Sequence, residues 1–394
     1  MGIKESSAYY HSVYSGKGLT RFSGRKLKSE VDTLIMMYKT HCQCVLDNAI
    51  NENFKEIQHF LLHFWQGMPD HLLPLLDNPI ITDIFYVCDS ILYKITMSKT
   101  TPVPDNPYDF QFKGCCFPKR VVTPEYLESL KDFYIRDTDV FLVTYPKSGT
   151  SWVQQILCLL YYEGHRTGTE SIKTGERMPW IEFNFRNIDF DSRSSPRLFT
   201  SHLPYHLVPQ DLKNKKAKVI YVIRNPKDVM NSYYHFEDIL EIEVQKSTNF
   251  EKFMEKFLAG NVSPCTWFDH VRGWYTHSDD LNILFVKYED MIMDLHSAVI
   301  QISTFLGKEL DDGLLDTVVR CATFKHMKTD SRANKDDVPG ILLKGKGDFM
   351  RKGVIGDWKN IMTVAQSEKF DEIYQEKMMD LPVNLTWDMQ KELE

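Results

Sequence analysis

No apolar run in this chain approaches the roughly 18 residues of a membrane-spanning helix. Its polar N-terminus does not read as a signal peptide. Positive charge is in short supply: 47 Lys and Arg stand against 54 Asp and Glu, a formal charge of −7. That balance gives no bulk attraction to nucleic acid, although it permits a local basic pocket. The eight cysteines include Cys42–Cys44 and Cys115–Cys116, spacings that suit neither a zinc site nor a secreted disulfide framework. Reduced thiols in a cytoplasmic protein are expected, and Asn261-Val-Ser and Asn384-Leu-Thr then carry no weight as glycosylation signals. A Walker A loop is absent too, which disfavours an ATP-dependent small-molecule kinase.

With 394 residues, 43% hydrophobic and 26% charged, the chain can form one large α/β domain with an extension. Its most informative stretch is Val143-Thr-Tyr-Pro-Lys-Ser-Gly-Thr-Ser-Trp152. Val140 to Val143 form a short, partly β-branched apolar run, the pattern of a buried parallel strand. Ser151 to Tyr162 carry apolar residues at helical spacing. Between them Pro146 fixes a turn and Gly149 admits a close ligand. Amides from Ser148 to Ser151 would face an anion at a helix N-terminus, and Lys147 would add charge.

A seam falls near residue 96, so the expected division is 1–96 and 97–394. Residues 1–28 are polar, with a basic cluster at Arg21, Arg25, Lys26 and Lys28, which reads as a solvated tail. Helical patterns follow over 31–50, 54–66 and 80–93, and then the prolines at 102, 104 and 107. Gly2-Ile-Lys-Glu-Ser-Ser-Ala-Tyr-Tyr-His11 and Phe64-Trp-Gln-Gly-Met-Pro-Asp-His-Leu-Leu-Pro74 resemble parts of a regulatory factor X (RFX) transcription factor. The recognition helix of such a factor is not among these runs. Nucleic-acid binding is therefore not expected, and a DNA-binding or dimerisation fragment joined to an inert second domain is the rival reading. The join is compatible with a two-domain protein and with a fused transcript or gene model.

After the seam, Lys218 to Ile223 form a second strand pattern ending at Arg224-Asn-Pro-Lys-Asp-Val. Arg224 would lie at a strand's carboxyl end, with Asp228 capping a helix that carries Ser232. Ile283 to Val286 make a third strand, leading to Tyr288. Near the C-terminus, Phe349-Met-Arg-Lys-Gly-Val-Ile-Gly-Asp-Trp-Lys359 pairs cations with flexible backbone suited to closing over a phosphate. Together these segments resemble the cytosolic sulfotransferase family, in order and spacing, from about residue 105 onward. The resemblance implies an α/β fold, a central parallel sheet flanked by helices with a P-loop-like phosphosulfate-binding loop. It also implies the donor 3′-phosphoadenosine 5′-phosphosulfate (PAPS), while the helical patterns before the seam make the extension mostly helical. By position, Lys147, Ser148, Gly149, Thr150, Ser151 and Trp152 would bind the donor's 5′ end and adenine side. Arg224, Ser232, Arg351, Lys352 and Gly353 would hold its 3′-phosphate, while Tyr288, Thr323 and Phe324 would meet adenine. Lys359, Thr363, Val364 and Glu368 fit the family's dimer motif, which implies a homodimer.

His202, in Ser201-His-Leu-Pro204, matches the family's general base, with Lys147 stabilising charge on the leaving oxygen. No metal is required. Thr200 and Ser201 stand where the family commonly has Lys-Thr, so a cation expected beside the sulfuryl group is missing. Trp180 and Phe183 would wall an apolar acceptor pocket, and Glu182 could pair with an amine. Met178 to Asn184 looks nearer to the amine branch, with phenol and steroid acceptors left open.

Overall fold

The structure, a computed structural model, describes residues 107–161, 172–184, 187–214, 216–240, 246–335 and 348–389. They belong to one unit, Asn106–Glu394. The helical patterns at 31–50, 54–66 and 80–93, and Tyr162, lie outside the described residues.

A small antiparallel hairpin, β1 (Asp109–Phe112) and β2 (Cys115–Pro118), precedes the main sheet. That sheet has four parallel strands, β3 (Val140–Thr144), β4 (Leu198–Ser201), β5 (Lys218–Ile223) and β6 (Asn282–Lys287), ordered β4-β3-β5-β6. Every residue of β3 and β4 is buried. Alternation divides β3 between two cores: Phe141 and Val143 join one, Val140 and Leu142 the other. Val219 and Tyr221 of β5 follow the first pair, and Ile220 and Val222 the second. An apolar face on each side explains why these strands read as continuous hydrophobic runs.

Helices cover both faces. They include α1 (Thr150–Tyr161), α2 (Pro226–Ile239), α3 (Trp267–Thr276), α4 (Tyr288–Met293), α5 (Phe324–Thr329) and α6 (Val364–Met378). After β3 the chain first adds β4 on one side and then β5 on the other, so strand order reverses around β3. Loops leaving β3 and β5 diverge there and open a crevice, the place where sheets of this kind take ligands.

One expectation is corrected. Asp228 is not the cap of α2; Asn225 is, its side chain accepting from Lys227 N and Asp228 N. Pro226 at the first helical position makes Asn225 the residue outside the helix. Asp228 lies inside the first turn, where its carboxylate is available to another segment.

Candidate active site

The turn after β3 places Lys147 (φ 69°) and Gly149 (φ 99°) in left-handed backbone. For a lysine that conformation is uncommon and must be enforced by its surroundings. A Cβ on Gly149 would lie 2.7 Å from the Tyr288 ring, so this glycine admits an aromatic side chain. From the end of β5, Arg224 donates Nη1 to the Lys147 carbonyl at 2.9 Å and stacks 4.1 Å from the Tyr288 ring centre. The two loops thus form one cradle at the N-terminus of α1. Buried Ser148 Oγ, Arg224 Nε and Arg351 Nε have no hydrogen-bond partner. Orphaned donors at a helix N-terminus are what a bound anion would satisfy. Lys147 Nζ sits 3.9 Å from the Phe236 ring centre and 4.4 Å from that of Phe349. Burial, reinforced by Arg224 and Arg351, brings its pKa down to about 7.

The C-terminal loop is fastened over this cradle. Arg351 and Lys352 each reach Asp357 at 2.6 Å. Burial pushes the Asp357 carboxyl up, but bonds from Lys352, Asn360 and Arg351 outweigh it and hold the group at about 2. Gly353 is left-handed, and a Cβ on it would fall 2.5 Å from the Phe324 ring. Asp228 accepts from Gly356 N at 2.8 Å and Trp358 N at 3.0 Å. Its neighbour Lys227 lies over the Trp358 ring and donates to Ser367 and Asp371 of α6, both at 2.7 Å. Thr323 caps α5, and Trp152 donates its indole N–H to the Ala322 carbonyl at 2.7 Å.

His202 follows β4 directly. Its Nδ1 lies 2.6 Å from the Thr144 carbonyl, which can only accept, so Nδ1 carries the proton and Nε2 the lone pair. Burial lowers the imidazole to about 4, with Lys147 and Lys335 adding to the fall, so the ring is neutral at physiological pH. His270 of α3 braces it from behind: its Nε2 donates to the His202 carbonyl at 3.1 Å, and its Nδ1 accepts from Tyr221 at 2.8 Å. Residues Pro179 to Ile181 pair with Thr200, which brings Trp180, Glu182 and Phe183 beside His202. Trp180 lies 4.4 Å from the imidazole ring centre and 6.1 Å from that of Phe183. Glu182 Oε1 accepts from His202 N at 2.6 Å, while its buried Oε2 has no partner. Burial raises this carboxyl to about 7.

Lys147, Gly149, Thr150, Ser151, Trp152, Trp180, Glu182, Phe183, His202, Arg224, Ser232, Tyr288, Thr323, Phe324, Arg351, Lys352 and Gly353 all line one cavity of about 710 Å³. Ser148 is buried in the loop behind it. Phe349, from the C-terminal stretch already noted, also lines the cavity, as do Phe236 and Lys335, which sequence reasoning passed over. Phe236 could have been found, since it stands four residues beyond Ser232 on one helix; Lys335 belongs to no motif. Away from the cavity, Thr363 forms a capping box with Gln366 at the start of α6. There Lys359, Thr363, Val364 and Glu368 are exposed, and Lys359 pairs with Asp388. Among the described residues no cluster of His, Cys, Asp or Glu could hold a metal ion, and no helix is long and apolar enough to cross a membrane.

An anion cradle at a sheet's switch point, opening beside a neutral histidine and an aromatic wall, defines an α/β group-transfer enzyme. Comparison with known proteins gives the family. The sulfotransferase domain model matches residues 137–382, and the RFX BCD domain model matches 34–104. A rabbit (Oryctolagus cuniculus) amine sulfotransferase is 52% identical over 72% of this chain and 95% of its own length. A guinea-pig (Cavia porcellus) 3-beta-hydroxysteroid sulfotransferase is 43% identical over 70% and 96%. Among solved structures, a mouse sulfotransferase complexed with PAP aligns with a TM-score of 0.56 at 30% identity, covering 69% of this chain and 96% of that one. The chain belongs to the sulfotransferase family.

Proposed function

We propose that this protein transfers the sulfuryl group of PAPS to the nitrogen of a small, largely apolar amine, with His202 as general base. One observation carries the acceptor class: a buried carboxylate oxygen, Glu182 Oε2, stands without a partner in an aromatic-walled cavity beside the base. A phenol or steroid hydroxyl offers a neutral donor there, whereas an ammonium offers both charge and hydrogen bond. The 52% identity to an amine sulfotransferase supports the same reading.

In this mechanism the orphaned donors of Ser148, Arg224 and Arg351 serve the donor's phosphates. Thr150, Ser151 and Trp152 are assigned to the donor's 5′ end and adenine side, Ser232, Lys352 and Gly353 to its 3′-phosphate, and Tyr288, Thr323 and Phe324 to adenine; all of them line the one cavity. The PAP-bound relative supports that nucleotide. An incoming ammonium gives one proton to Glu182, whose raised pKa suits it to accept near neutrality. The free amine attacks sulfur opposite the leaving phosphate oxygen; the N–S bond forms as the S–O bond breaks. His202 Nε2 takes the second proton, and Lys147 faces the charge that grows on the leaving oxygen. Products are a sulfamate and PAP. Lys359, Thr363, Val364 and Glu368, exposed at the start of α6, are the proposed homodimer contact.

The test is detection of sulfated product from labelled donor across amine, phenol and steroid panels. Amines should give the highest kcat/KM. His202→Ala should lose on the order of 10²-fold or more in kcat with PAP binding intact. Glu182→Gln should lose its effect selectively on amines, by roughly 10-fold or more in kcat/KM. Equal losses for all three acceptor classes would sink the amine assignment.

A further inference from the structure

Thr200 brings no charge to the strand end before His202, yet an ammonium reaches this corner of the cavity from elsewhere in the chain. Lys335 Nζ donates to Gln154 Oε1 at 2.7 Å. The other end of that amide is fixed, with Nε2 donating to Thr200 Oγ1 at 2.6 Å and to the Met178 carbonyl at 3.1 Å. Gln154 is fully buried, so one immobilised side chain connects Lys335 to position 200, two residues before His202. The segment leading to Lys335 is docked as well: Thr174 N and Oγ1 both donate to the Arg332 carbonyl, at 3.0 and 3.1 Å, and Ala333 is fully buried. Lys335 itself adopts left-handed backbone (φ 65°), as Lys147 does. Its ammonium is desolvated, with a pKa drawn down by burial to about 8, and it forms no ion pair among the described residues. An enclosed cation bonded to a neutral amide is costly to keep. An anion in the cavity would offset that cost.

We propose that Lys335, held by Gln154, supplies the second cation facing the sulfuryl oxygens during transfer, in place of a lysine at position 200. The proposal rests on the sulfuryl-transfer reading above. The sulfuryl oxygens carry negative charge throughout, and more accumulates on the leaving oxygen as the S–O bond lengthens. Lys147 answers the leaving oxygen from the β3 loop. Lys335 answers the sulfuryl oxygens from the acceptor side, where it shares the cavity wall with Trp180, Glu182 and His202. Lys335 moves no proton; that role stays with His202.

The experiment uses the full chain, PAPS, and the acceptor that wild-type protein sulfates best. Lys335→Met and Lys335→Gln should each lower kcat by roughly 10- to 100-fold, with PAP affinity within about twofold of wild type by calorimetry. Thr200→Lys should raise kcat at least about fivefold in the Lys335→Met background, and should not raise it in wild type. An undiminished kcat in both Lys335 variants, or no gain from Thr200→Lys in Lys335→Met, overturns the proposal and leaves the parent reading standing. Absence of any sulfated product from wild-type protein overturns both.

Discussion

Lys147 meets neutral pH close to half charged, because burial and two guanidinium groups have drawn its pKa down to about 7. A phosphate or sulfate placed against it favours the ammonium and draws that pKa back up. The sign follows: at pH 8 the free protein holds mostly neutral amine, the complex mostly ammonium, so binding takes up a proton. Calorimetric titration with PAP in buffers of different ionisation enthalpy should read an uptake approaching one proton at pH 8, and close to none at pH 5.5. Lys147→Met should abolish the uptake. At this scale the sequence was legible wherever a residue sits in a local motif. His202, Arg224 and Lys147, which line the cavity, each stand in such a motif. The reason for Gly149 was not, because the ring that needs its missing Cβ belongs to Tyr288, on another strand's loop.

The strands β3 and β5 could be read directly, since burial on both faces leaves an unbroken apolar run; β6, in which only Val286 is buried, was legible from its short Ile283–Val286 apolar run alone. Contacts between elements were another matter. Glu182 meets His202 through an added pairing of Trp180 with Thr200, and Lys335 meets Gln154 across 181 residues. Local periodicity contains neither. The C-terminal loop shows the same dependence on a distant element. Gly353 must be glycine both for its φ of 68° and because Phe324 fills the space a side chain would need. Gly353→Ala should weaken PAP binding by roughly 10-fold or more, read by calorimetry, with the melting temperature little changed because the loop lies outside both cores.

At the scale of the molecule, every group assigned to the reaction lies within the unit Asn106–Glu394, and the sulfotransferase match falls inside it. Deleting residues 1–96 should therefore leave kcat within about twofold, whereas Val364→Glu should shift sedimentation toward a monomer by placing charge in the proposed homodimer contact. The division near residue 96 was read from composition and proline content. Two consecutive residues of α2 carry two different loads: Lys227 grips α6, where the proposed subunit contact begins, and Asp228 grips the loop over the nucleotide cradle. If the spent nucleotide leaves by lifting that loop, the hinge it works against is the same one that a second subunit would press. Assembly would then set the pace of product exit, and a monomeric variant would differ from the dimer in turnover without any change at the reacting atoms.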